Sequence, residues 1–177
     1  IEFTTVEGVH IIGVDENIKQ HQKERYFYKA EELINVLLDN QCWIILPHPS
    51  HATGVIGNTS ITKEDSRYCL ANAHFIEINN YRYGRSIDIE SILFKYKNLK
   101  ALVGSDAHKA HDIGIFYNEV DYNGECIIKS LYDNQIANKI IKERSELYFL
   151  KQQIKRSKIY QYFLNQFSSE FRIKIKK

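Results

Sequence analysis

Three short apolar runs, each stopping at polar residues, constrain the fold of this chain more than any other feature. "CWIIL" stops at Pro47-His48-Pro49, "HFIEINN" offers Glu77 and Asn79, and "KALVGSDAH" offers Asp106 and His108. A short continuous aliphatic run is what a strand buried on both faces looks like. Helical patterns separate these runs. In "YKAEELINVLLDN" the residues Ala30, Leu33, Ile34, Leu37 and Leu38 recur at helical spacing. "KEDSRYCLANA" precedes the second run, and "SIDIESILFKYKNL", capped by Ser86 or Asp88, precedes the third. Upstream, "EFTTVEGVHIIGV" reads as strand with a turn at Glu7-Gly8. Alternation of this kind predicts an α/β fold with parallel strands, right-handed crossovers and a sheet covered by helices.

Length bounds the rest. The chain of 177 residues has room for one sizeable core and not for two full domains. A formal charge of +2 with 44% hydrophobic and 26% charged residues excludes a disordered or collagen-like chain. The chain opens at Ile1 inside a strand pattern and contains no methionine, so an upstream portion is expected, with the cut passing through a fold. Cys42, Cys69 and Cys126 are odd in number and widely spaced, which predicts neither a disulfide framework nor a zinc knuckle. No apolar run approaches the roughly 20 residues of a membrane span, and the cytoplasm is the default compartment.

Beyond "GIFYNEVDY" the helix signal grows, with Ile127, Ile128 and Leu131 on a short helix and a longer helical pattern from about Asn134 to Phe167. Residues 1–132 therefore form one expected domain and residues 133–177 a helical extension. From 151 onward the only acidic residue is Glu170, against Lys151, Lys155, Arg156, Lys158, Arg172, Lys174, Lys176 and Lys177. Such a strip is a solvated helix face or a contact for nucleic acid.

In parallel α/β sheets, sites form where side chains from separate strands converge at the carboxyl ends. His48, Glu77, Asn79, Asp106 and His108 all fall at such ends, and Glu2 and His10 stand in the first strand segment. Taken singly, an Asp-x-His after a strand is also an ordinary turn or cap. The conjunction of Glu2, His10, His48, Asp106 and His108 favours a metal site, and carboxylate oxygen with imidazole nitrogen suits zinc, manganese or iron. His51 and His111 follow the proposed ligands and are candidates to meet a substrate phosphate, while Arg67, Arg82 and Arg85 are candidates for a distal one.

The ordered string "IEFTTVEGVHIIG", "IILPHPSH", "FIEINN" and "LVGSDAHK" resembles the PHP (polymerase and histidinol phosphatase) superfamily of metal-dependent phosphoesterases over about residues 1 to 115. The resemblance implies a distorted (β/α)7 barrel, here partial and followed by the C-terminal helical extension, with two or three divalent metal ions at the carboxyl ends of the strands. It implies that Glu2 bridges metals, that His10 is the next imidazole ligand, that His48 belongs to the HP motif, and that Asp106 and His108 close the SDAH motif. Glu77 and Asn79 match the preceding strand as orienting partners. The family's first His-x-His motif is absent from this sequence.

Two functions of different class follow. The first is hydrolysis of a phosphate ester, on a small molecule or a short nucleic acid, by a metal-activated water. The second is an inactive remnant or binding module whose basic tail contacts nucleic acid or a larger assembly such as a polymerase.

Overall fold

The computed structural model describes residues 1–15, 28–78, 88–107, 110, 113–122, 124 and 126–140. The chain divides into two compact units, Ile1–Lys139 and Ile140–Lys177. All but the first residue of the second unit lies outside the described residues, and the basic tail with it.

The first unit opens with a hairpin. β1 (Glu2–Thr4) pairs antiparallel with β2 (His10–Val14), Glu2 opposite Ile12 and Thr4 opposite His10. Gly8, at φ +78°, makes the turn where a side chain would be strained. Glu7 then leaves the hairpin to accept a hydrogen bond from the Ala30 amide at 3.2 Å, placing a carboxylate at the N-terminus of α1 (Ala30–Asp39). α1 leads to β3 (Trp43–Leu46), α2 (Lys63–Asn72), β4 (Phe75–Glu77), α3 (Ile89–Lys95) and β5 (Lys100–Leu102). Thr62 caps α2 by accepting from the Asp65 amide, and Asp88 caps α3 by accepting from the Ser91 amide. Of the two expected caps for α3, Asp88 is the one in place; Ser86 lies outside the described residues.

The five strands form one sheet in the order β1-β2-β3-β4-β5. β3, β4 and β5 run parallel, as expected, but β2 pairs antiparallel with both β1 and β3. The expected barrel is not what forms. Among the described residues β1 and β5 each have one strand neighbour, so the sheet is open and mixed rather than a closed parallel (β/α)7 ring. The physical reason is that a tight hairpin turn forces antiparallel pairing, whereas a ring needs crossovers between parallel neighbours.

One face of the sheet carries the main core. Phe3, Ile11, Ile44, Leu46 and Ile76 are buried there with Leu33, Ile34 and Leu37 of α1 and Cys69 and Leu70 of α2. On β4, Phe75 is fully buried beside Trp43 and Tyr132, the latter from α4 (Ile127–Asp133). His74 joins this ring cluster. Its Nδ1 accepts from the Ile44 amide at 3.0 Å, which puts the ring proton on Nε2, and burial pushes its pKa down.

The expected helix beginning near Asn134 meets a second correction. Residues Ala137–Ile140 form β7, which pairs with β6 (Phe116–Glu119) in a separate two-stranded sheet. Lys139 Nζ reaches Glu119 Oε2 at 3.5 Å across that pair. Asn138 and Ile140 favour helices less than Ala137 and Lys139 do, and propensity is a weak preference that a waiting strand partner overrides. The remainder of the expected helical extension, residues 141–177, is outside the described residues. The three cysteines are free, with Cys42 and Cys69 buried, and burial pushes the Cys69 thiol up to about 12. No helix among the described residues is long and apolar enough to cross a membrane.

Candidate metal centre

Strand direction assembles the site. His10 opens β2, and because β2 runs antiparallel to β3, that opening lies level with the carboxyl end of β3, where His48 stands. Glu2 is diagonal to His10 on the same face of the β1–β2 hairpin. The carboxylate oxygen Glu2 Oε1 is 3.0 Å from His10 Nδ1 and 3.7 Å from His48 Nε2. The rings of His10 and His48 meet edge to face at a centroid separation of 5.2 Å.

This trio can hold a metal ion. One ligand atom from each residue lies within 4.8 Å of the others. Donors on a tetrahedral ion with bonds of roughly 2.0–2.1 Å stand about 3.3 Å apart, and the observed 3.0 and 3.7 Å bracket that spacing. Moreover, the buried His10 Nδ1 faces Glu2 Oε1 without hydrogen-bond alignment, so the two atoms share a region of space more than they bond to each other.

The electrostatics agree with the geometry. The His48 ring, foremost, and the charge of His10 hold the Glu2 carboxyl below its ordinary 4.5, against the opposing pull of burial. Burial pulls the His48 ring down, yet its contact with Glu2 and the charges of Glu77, Asp106 and Glu2 outweigh it and leave the pKa above the ordinary 6.5. A nitrogen so stabilised toward positive charge is a good seat for a cation once its proton leaves.

The backbone around His48 is closely held. Glu77, buried at the end of β4, accepts the His48 amide proton at Oε2. The loop after His48 coils tightly, with the His51 amide bonded to the His48 carbonyl and both the Ile56 and Gly57 amides to the Pro49 carbonyl. Thr53 ties this loop to the hairpin through its carbonyl, which accepts from the His10 amide at 2.7 Å. Thr53 also orders His51, whose Nδ1 lies 2.8 Å from the threonine hydroxyl. His48 and Asp106 are non-glycine residues with positive φ, +29° and +44°. Such conformations cost on the order of 1–3 kcal/mol each and cluster at functional sites.

The expected site residues thus divide. Glu2, His10 and His48 converge, and Asp106 lines the same cavity as Glu2, His48 and Glu77. Glu77 Oε2 accepts from the backbone amide of His48. His51 sits with its ring centroid 5.4 Å from that of His48. Arg67 is exposed on α2 and does not line the cavity. His108, His111, Asn79, Arg82 and Arg85 lie outside the described residues.

Gly104 is a residue that sequence reasoning missed. A Cβ added there would run into Glu77 Oε1, so this position must be bare for Glu77 to reach the His48 amide. Gly104→Ala is expected to cost about 1–3 kcal/mol through overpacking and to weaken metal binding by roughly 10–100-fold, as loss of an orienting partner does. Denaturant melts and metal titration of this variant check both effects.

No family profile and no curated protein matches the chain. Among solved structures, PsfC from Pseudomonas syringae PB-5123 is similar, with a TM-score of 0.59 at 16% identity over 88% of this chain. The match spans 63% of the length of PsfC. At that identity the likeness concerns the fold alone, so the chemistry of this site rests on its own residues.

Proposed function

We propose that this chain carries the metal-holding face of a phosphoesterase of the PHP kind, cleaving a phosphate ester of a small molecule or a short nucleic acid. The observation that supports this reading is the convergence of Glu2 Oε1 on both His10 and His48 at the rim of a cavity that Glu77 and Asp106 also line. Two or three ions of zinc, manganese or iron suit these donors, and when bound they supply positive charge for phosphate oxygens and an acidified water as nucleophile. Glu2 stays ionised and offers one oxygen between two imidazoles. His48 presents a neutral nitrogen once its proton leaves, and His10 offers a second imidazole nitrogen beside it. Glu77 fixes the approach of His48 by holding its amide, and Asp106 adds negative charge to the same cavity. The free cysteines fit a reducing compartment, and we place the protein in the cytoplasm.

The test is metal content by elemental analysis of the full chain loaded with zinc, manganese or iron, alongside release of phosphate from a panel of monoesters and diesters. Bound metal and hydrolysis, both reduced in His48→Ala and Asp106→Ala, are the expected results. Bound metal with no ester cleaved would overturn the phosphoesterase reading, and a folded chain that binds none would overturn the metal centre itself.

A further inference from the structure

Glu2 and His48 open onto a cavity of about 330 Å³ that Glu77, Asp106 and Asn118 also line and whose remaining walls are mostly aliphatic. Ile12 and Ile45, register partners on β2 and β3, form one wall; Leu102 and Val103, at the end of β5, form another. The polar residue from β6, Asn118, is already occupied. Its amide nitrogen donates to the Val103 carbonyl at 2.8 Å and its oxygen accepts from the Val103 amide at 2.9 Å. No lysine or arginine lines the cavity among the described residues.

From this we infer that the cavity receives the hydrocarbon part of the substrate, so that the phosphate group meets the metal cluster while an aromatic or branched aliphatic alcohol fills the space between Ile12, Ile45, Leu102 and Val103. The inference rests on the phosphoesterase reading and names the substrate class for that site. An aliphatic cavity of about 150 Å³ already accommodates benzene, so size admits a ring or a short branched chain. Charge disfavours a second anion. A second phosphate would meet the carboxylates of Glu77 and Asp106 with no cation beside it.

Binding of non-hydrolysable phosphonates to the zinc-loaded full chain separates this inference from the reading beneath it. Phenylphosphonate is expected to bind at least about tenfold more tightly than methylphosphonate, since a few buried carbons in an apolar pocket are worth 10–200-fold. Ile45→Asn is expected to erase that preference while leaving zinc content and methylphosphonate affinity unchanged. Ile12→Thr, a milder change in the same wall, gives a second reading if Ile45→Asn does not fold. Equal affinity for the two phosphonates, with methylphosphonate still bound, would overturn the hydrocarbon pocket and leave the metal-centred reading standing. Failure of either phosphonate to bind a zinc-loaded chain would overturn both.

Discussion

Phe75→Ala is expected to lower the unfolding free energy by about 3–5 kcal/mol, the usual cost of truncating a buried phenylalanine. Phe75 is fully buried in the middle of the sheet, with Ile45 and Lys100 as its register neighbours. Its ring lies 5.7 Å from Tyr132 and 6.2 Å from Trp43 between centroids. Tyr132 also packs on Trp43 at 5.1 Å and on His74 at 5.6 Å, so three rings of the sheet hold the one ring that α4 contributes. Removing the central ring leaves a void that short strands pinned on both sides cannot close. Against a typical total of 5–15 kcal/mol, such a loss should move the thermal midpoint down by about 10–15 °C. Phe75→Leu, which keeps most of the volume, should cost under about 1.5 kcal/mol. Hydrogen exchange localises the effect: α4 amides should lose protection in Phe75→Ala before those of α1, which packs on the other face. A midpoint unchanged within a degree or two would mean that α4 is not anchored through this ring.

The contrast between the two faces of this sheet explains what could be read from the sequence. Helices α1, α2 and α3 and strands β3, β4 and β5 were legible because burial imposes periodicity on neighbouring residues: "ELINVLL" repeats with the turn of a helix and "WIIL" does not. Closure of the sheet was not legible, since it depends on what the edges β1 and β5 meet, and no local pattern encodes that. Likewise "ANKI" carries no strand signal of its own and becomes β7 through pairing with β6. Within the site, His48 and Glu77 could be placed from strand ends alone. His10 could not, because it opens its strand, and only the antiparallel turn at Gly8 brings it level with His48. Gly104 was invisible for a different reason. Its lack of a side chain matters only through the carboxylate of Glu77, a neighbour in space on the adjacent strand rather than in sequence.

Metal binding should fall by more than about 100-fold in Glu2→Gln, beyond the 10–100-fold loss typical of an orienting partner, because Glu2 Oε1 is the atom that faces both imidazoles. The substitution keeps the shape of the side chain and removes its charge, so a folded variant with intact thermal stability isolates the ligand effect. Proton linkage gives this experiment a second readout. His48 has its pKa raised above 6.5 by Glu2, Glu77 and Asp106 against the pull of burial. Its contribution to the stability of the metal-free protein is therefore fully present below that ordinary value and is lost as pH rises through the raised one. Glu2 has its pKa lowered beneath 4.5, so its contribution is present above that value and is lost as pH falls through the lowered one. Metal binding runs the other way from His48, because the ion must displace the proton from Nε2. Apparent affinity should climb by about tenfold per pH unit while His48 is protonated and level off once it is neutral. Between the ordinary imidazole value and the raised one, the metal-free protein should thus lose stability with rising pH through His48 while the metal-loaded protein gains it. In Glu2→Gln the plateau should begin at lower pH, since the contact with Glu2 and its charge no longer support the imidazolium. Competition titration with a chelating dye across pH measures both quantities. A pH profile identical in the two proteins would show that Glu2 does not support the His48 imidazolium in the metal-free protein, whatever the change in affinity.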